Sequence, residues 1–78
     1  MSIEQEVMKV VANRLKWEES DLTLESNLKN DLKADSIDSV EVLYEIEELY
    51  NIVIEDDLAE NIDTVGDIVN VVNSLKKQ

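Results

Sequence analysis

The chain reads as an all-α protein: a small helical bundle of three main helices plus one short helix, with a long loop between the first and second helices. Three observations predict this. Apolar residues recur at helical spacing in three separate stretches. Each of those stretches opens on a residue suited to capping, with an acid or amide three positions later. The one β-branched run, Asn51-Ile52-Val53-Ile54, has no credible partner strand.

In the first helix Ser2 and Gln5 form a capping box. Ile3, Val7, Val10 and Val11 follow at helical spacing, flanked by Met8 and Leu15, and the helix is expected to end near Lys16. From Trp17 to Asp35 the periodicity fades. Leu22, Leu24, Leu28 and Leu32 are set into a polar stretch and are expected to anchor it to the core, with a short turn of helix after Ser26. Connections this long are uncommon in compact domains and are usually functional or disordered; the anchors favour order. The second helix is predicted from Ser36 to about Tyr50, capped by Asp35 with Asp38 reaching back. A short helix follows at about Asp56–Asn61. The last has Thr64 as its cap, Asp67 at the third position and Val65, Ile68, Val69, Val72 and Leu75 as its stripe. Lys76 and Lys77 suit the negative end of its dipole.

A length of 78 residues predicts a single domain over residues 1–78. The 44% hydrophobic content suffices for one core, built from Leu, Ile and Val because Phe is absent. The formal charge is −12. Such a charge favours a soluble monomer and partners with basic surfaces. It disfavours nucleic acid, whose phosphates need clustered Lys and Arg. With no Cys and no His, neither thiolate chemistry nor a zinc site is expected. The N-terminal stretch has no signal or transit pattern, and no run approaches the length of a membrane helix, so a cytoplasmic location without membrane insertion is expected.

At roughly 100° per residue the second helix carries two apolar faces. Ser39, Val42, Leu43, Ile46, Leu49 and Tyr50 form a core face. Ile37, Val40 and Tyr44 fall opposite, interleaved with Glu41, Glu47 and Glu48. Single exposed apolar residues are ordinary. Three on one acidic face make a docking patch, with contact area from the apolar side chains and charge for a partner's Lys or Arg.

Ser36 stands at the end of that face between Asp35 and Asp38. A serine nucleophile needs a base within hydrogen-bond reach, and the chain has no histidine. The surrounding negative field also opposes an alkoxide, so the chain is not expected to be an enzyme. A calcium loop beginning at Asp31 fails on spacing: its third residue is Lys33, its sixth Ser36 and its twelfth Val42. No metal site is expected, beyond loose divalent binding by clustered carboxylates. What remains is a serine at a helix mouth, where free N–H groups and the dipole favour an attached phosphate, or simply a first-turn serine.

The stretch Asp31–Asp57, with Asp35-Ser36-Ile37 at its motif, resembles the acyl carrier proteins of bacterial fatty acid synthesis. The likeness extends to the long first loop and to "IDTVGDIVNVV" as the last helix. It implies a covalent 4′-phosphopantetheine arm on Ser36, installed from coenzyme A by a phosphopantetheinyl transferase with Mg²⁺, with Asp35 as the motif acid near that ion. The arm's thiol would hold acyl groups as thioesters. Acyl-handling enzymes with basic docking surfaces would meet Ile37, Val40, Glu41, Tyr44, Glu47 and Glu48. The acyl pocket would be lined by Ile46, Ile54, Ala59, Ile62 and Ile68. Three departures stand out: Lys33 where the family usually has glycine, Glu55 where proline is common, and Tyr44 at a position often methionine. With these departures a specialised carrier stands as the alternative to the housekeeping carrier of fatty acid synthesis. The same fold also serves aminoacyl, D-alanyl or polyketide intermediates, and an acidic helical adaptor without cofactor is a further alternative.

The charge alone makes a prediction. Screening of carboxylate repulsion should raise the melting temperature in added salt and in millimolar divalent cations. A thermal melt indifferent to both contradicts it.

Overall fold

The computed structural model describes residues 2–76, so Lys77 lies outside the described residues. Helix α1 spans Ile3–Leu15, α2 Ser36–Tyr50, α3 Asp56–Glu60 and α4 Val65–Lys76. Among the described residues there is no strand, only an isolated antiparallel bridge between Asn27 and Thr64. All three capped starts form as the sequence predicts. Ser2 and Gln5 close one box and Asp35 and Asp38 another. At α4 the Thr64 hydroxyl accepts the Asp67 N–H at 3.2 Å. The Asp67 carboxylate in turn accepts the N–H groups of Asp63 and Thr64, which hold its carboxyl below the usual range.

Helix α1 packs against both α2 and α4. The centre of that contact is fully enclosed: Val7 and Val11 from α1, Val42 and Ile46 from α2, and Val65, Ile68 and Val72 from α4. Burying each such aliphatic side chain contributes about 1.5–3 kcal/mol. Further ties reach across the faces. Tyr50 donates its hydroxyl to Glu6 at 2.7 Å, and burial together with that neighbouring carboxylate pushes its pKa well up. The Lys76 ammonium lies 5.1 Å from the centre of the Tyr50 ring.

The segment between α1 and α2 is ordered by backbone bonds as much as by its leucines. Leu22, Leu28 and Leu32 are buried as anchors. Leu24 is not: it is 41% exposed. Its backbone is engaged instead, with the Leu24 carbonyl accepting the Gly66 N–H at 2.8 Å. Two more bonds continue this seam, Val65 N–H to the Ser26 carbonyl at 3.1 Å and Leu28 N–H to the Asp63 carbonyl at 2.9 Å. The Trp17 indole N–H donates to the Leu32 carbonyl at 3.1 Å and closes the two ends of the segment on each other. The helical turn expected after Ser26 is a hydrogen-bonded turn in which the Asn27 side chain accepts from Lys29 and Asn30. A separate 3-10 turn at Glu19–Asp21 was not foreseen from the sequence.

Lys16 and Asn51 take the left-handed conformation as the C-caps of α1 and α2, and two further positions, one on the way to α2 and one in α4, make special backbone demands. Lys33 sits at φ 63°, in the left-handed region where glycine is at ease and a Cβ is crowded. That conformation gives a physical reason for glycine at the corresponding family position. Gly66 has an ordinary φ but no space: a Cβ there would lie 2.9 Å from the Leu24 carbonyl oxygen.

Opposite outcomes are expected at these two sites. Lys33→Gly should leave stability level or raise it by up to about 1 kcal/mol, because relief of the left-handed strain outweighs the added freedom of the unfolded chain. Gly66→Ala should cost about 1–3 kcal/mol through overpacking against backbone. Urea titrations of the two variants beside the parent check both.

Candidate functional site

Ser36 is the first residue of α2 and is exposed. The box around it is tight: the Asp35 carboxylate accepts the Asp38 N–H at 2.8 Å, and Asp38 reaches back to the Asp35 N–H at 3.4 Å. One Asp35 oxygen is thereby committed to the cap.

Beside Ser36 opens a groove of about 390 Å³. It lies between the 27–29 turn, the flank of α2 and α3. Ser36, Ser39, Val40 and Leu43 line it from α2, Leu28 from the turn, and Ala59 and Ile62 from the far side. Lys29, Asp56, Glu60 and Asp63 add charge to its lining. Of the five residues expected to form a pocket, Ala59 and Ile62 line this groove. Ile46, Ile54 and Ile68 do not. They belong to the packed core, with Ile46 and Ile68 wholly enclosed. The apolar stripe identifies which residues point inward. It does not tell whether the interior there is filled or open. The open space lies on the flank of the stripe, at Ser39 and Leu43, where only the single-turn α3 covers α2.

The opposite face of α2 is exposed as the periodicity requires. Ile37 is 70%, Val40 60% and Tyr44 66% exposed. Glu41 and Glu48 are exposed beside them. Glu41 lies 3.9 Å from the Arg14 guanidinium, which is held mainly by Glu45 at 3.0 Å. Glu47 departs from the expected face. Its carboxylate accepts the Ile54 N–H at 2.7 Å and ties down the turn after α2, which leaves it half-buried. Leu49, assigned to the core face by its angle, is half exposed. The angle gives the side of a helix but not whether a neighbour reaches that height.

Comparison with known proteins agrees with this geometry. Residues 5–72 match the family model described as the phosphopantetheine attachment site. The chain belongs to the acyl carrier family.

A relative, the acyl carrier protein of Exiguobacterium sibiricum, is 41% identical over 69 residues, which is 88% of this chain and 87% of that protein. The solved acyl carrier protein of Enterococcus faecalis superposes with a TM-score of 0.79 at 37% identity, over 94% of this chain and 92% of that one. The apo doublet acyl carrier protein from prodigiosin biosynthesis superposes with a TM-score of 0.81 at 26% identity, over 94% of this chain and 35% of that one.

The protein is therefore an acyl carrier rather than an enzyme, and its cofactor is phosphopantetheine. Such a carrier works with transferases and with enzymes that handle acyl groups. Among the described residues no helix is long and apolar enough to cross a membrane. The groove fits the arm. Its lining along α2 pairs two hydroxyls, Ser36 and Ser39, with the apolar Val40 and Leu43, and the Ser39 Oγ is buried without a protein hydrogen-bond partner.

The two neighbouring glutamates of α2 should separate in a mutational test. Glu47→Ala is expected to cost about 1.5–3 kcal/mol, because a charge-assisted bond to backbone is lost. Glu48→Ala should stay within about 0.5 kcal/mol of the parent, as exposed surface changes do. Chemical denaturation of both variants decides the point.

Proposed function

We propose that Ser36 is the residue that carries the 4′-phosphopantetheine arm, and that this single carrier domain serves fatty acid synthesis in the cytoplasm as a monomer. The observation that carries the assignment is the position of Ser36: exposed, at the capped mouth of α2, and on the lip of the groove. When bound, the arm supplies the thiol that holds acyl groups as thioesters. The protein's own residues attach, present and shelter it. Asp35 and Asp38 fix the first turn, so the Ser36 hydroxyl projects at a defined angle. The oxygen of Asp35 not bonded to Asp38 N–H is the one proposed to face Mg²⁺ on the transferase. The N–H groups of the first turn favour the phosphate that the modification leaves there.

Partner enzymes are proposed to read Ile37, Val40, Glu41, Tyr44 and Glu48. The apolar members supply contact area and the carboxylates pair with basic residues on the partner. Glu47 acts on this face from its edge, through the turn it holds. Ala59 and Ile62, with Leu28, Val40 and Leu43, are proposed to shelter the start of the acyl chain.

Incubation with coenzyme A, Mg²⁺ and a phosphopantetheinyl transferase should raise the intact mass by one phosphopantetheine. Ser36→Ala should abolish that gain and leave the melting temperature within experimental error. A variant that still gains the mass would move the attachment point elsewhere. Extraction from the native host and intact-mass measurement of the attached acyl groups would test the assignment to fatty acid synthesis.

A further inference from the structure

The acidic face of α2 is not acid alone. Arg14, the only arginine of the chain, stands in the last turn of α1 and reaches across to it. Its Nε and Nη2 both donate to one oxygen of Glu45, at 3.2 and 3.0 Å, and its Nη1 lies 3.9 Å from Glu41. Glu41, Glu45 and Glu48 follow one another at about one helical turn each, so they line up along one side of α2. Arg14 engages the first two. Glu48 has no ion pair among the described residues. A notch of about 180 Å³ opens at this place, lined by Arg14, the three glutamates and Tyr44.

Stability is a weak reason for this arrangement. A cation in the last turn of α1 suits the helix dipole, but all three paired side chains are well exposed. Exposed ion pairs of this kind contribute little to folding. The consequence for an incoming protein is larger, because the guanidinium stands within the surface that a partner's Lys or Arg must approach. There it does two things. It holds Glu45 in an internal pair, and it repels a second cation brought beside it. Discrimination between partners comes from such an obstacle to the wrong placement as much as from contacts that reward the right one. Glu48, one turn beyond Glu45, is left as the free acceptor.

We propose that Arg14 is a specificity residue of the docking face: it closes the middle of α2 to a partner's Lys or Arg and directs that cation to Glu48. The favoured partner is a protein whose cation falls at the Tyr44–Glu48 end while its apolar surface covers Ile37 and Val40. A protein whose cation falls between Glu41 and Glu45 is turned away. The proposal rests on the reading of α2 as the docking face of an acyl carrier.

The test follows arm transfer from coenzyme A by a phosphopantetheinyl transferase, with the full chain as the varied substrate and KM read apart from kcat. Arg14→Gln should lower KM roughly two- to fivefold at low salt, the worth of one exposed charge contact. The turnover number should not move, and the gain should fade at high salt. Arg14→Lys keeps the charge and should stay near the parent. Lys9→Gln removes the same charge from an exposed site on α1 and should have a smaller effect. An equal effect reduces Arg14 to its share of the net charge and overturns the proposal. Glu48→Gln should raise KM in the parent, and raise it less in Arg14→Gln, where Glu41 and Glu45 become available. A KM that is unchanged or raised in Arg14→Gln, or a Glu48→Gln effect equal in both backgrounds, also overturns it. Misfolding does not mimic the expected result, since a less folded carrier is a poorer substrate. If Ile37→Ala and Val40→Ala together leave KM unmoved, the docking face lies elsewhere and the proposal falls with it, while arm transfer upholds the carrier reading. A chain that takes no arm at all overturns both.

Discussion

Three backbone hydrogen bonds hold the functional end of this molecule together. They run from the Leu24 and Ser26 carbonyls and the Leu28 N–H to Gly66, Val65 and Asp63. Without them the 17–35 segment would be a long loop with little reason to take one path. With them it is laid against the start of α4, and the turn at Asn27–Asp31 is placed opposite α2. That turn forms one wall of the groove, and the chain leaving it arrives at Ser36. The single glycine follows from the same seam, since Gly66 is where the two backbones come too close for a side chain. The left-handed Lys33 sits on the exit from the turn, three residues before Ser36.

The second helix is asked to do two things, and its faces divide them. Its inner side is committed to the core through Val42 and Ile46. Its outer side keeps Ile37, Val40 and Tyr44 in water amid carboxylates. Such a surface is costly for a chain of charge −12, because the compact state crowds like charges. Part of the cost is offset locally. Arg14 from α1 pairs with Glu45 and lies near Glu41, at the edge of the acidic face. The rest stays uncompensated, which is what a partner with a basic surface requires. Between the two sides runs the flank with Ser36, Ser39 and Leu43, where the covering element is one turn long and the interior is open.

The parts of the fold that rest on local chemistry were legible residue by residue. Asp35 and Asp38 announce the start of α2 because two carboxylates three residues apart can each satisfy the other's backbone N–H at a helix start. Val7, Val11, Ile68 and Val72 announce buried faces because the helical period puts them on one side. Ile37, Val40 and Tyr44 stood out by the same rule applied to the opposite face. Where reading failed, the missing quantity was always distance to another element. Spacing marks Leu24 as an anchor, but its carbonyl is the part that is held. Spacing groups Glu47 with the docking carboxylates, and only the return of the chain at Ile54 gives it a backbone donor. Ile46, Ile54 and Ile68 point inward as their spacing requires, and the groove opens on their flank.

The sequence by itself determined the helices, their caps, the acidic two-faced α2 and the serine at its mouth, together with the family to which those features belong. These depend on contacts within about four residues along the chain, which spacing encodes directly. The tertiary structure alone decided where the groove opens, that Ser39 faces it unpaired, that Lys33 is left-handed and that Gly66 cannot bear a side chain. Each of these depends on how near two distant segments come. Periodicity gives a direction around a helix axis and carries no information about that separation.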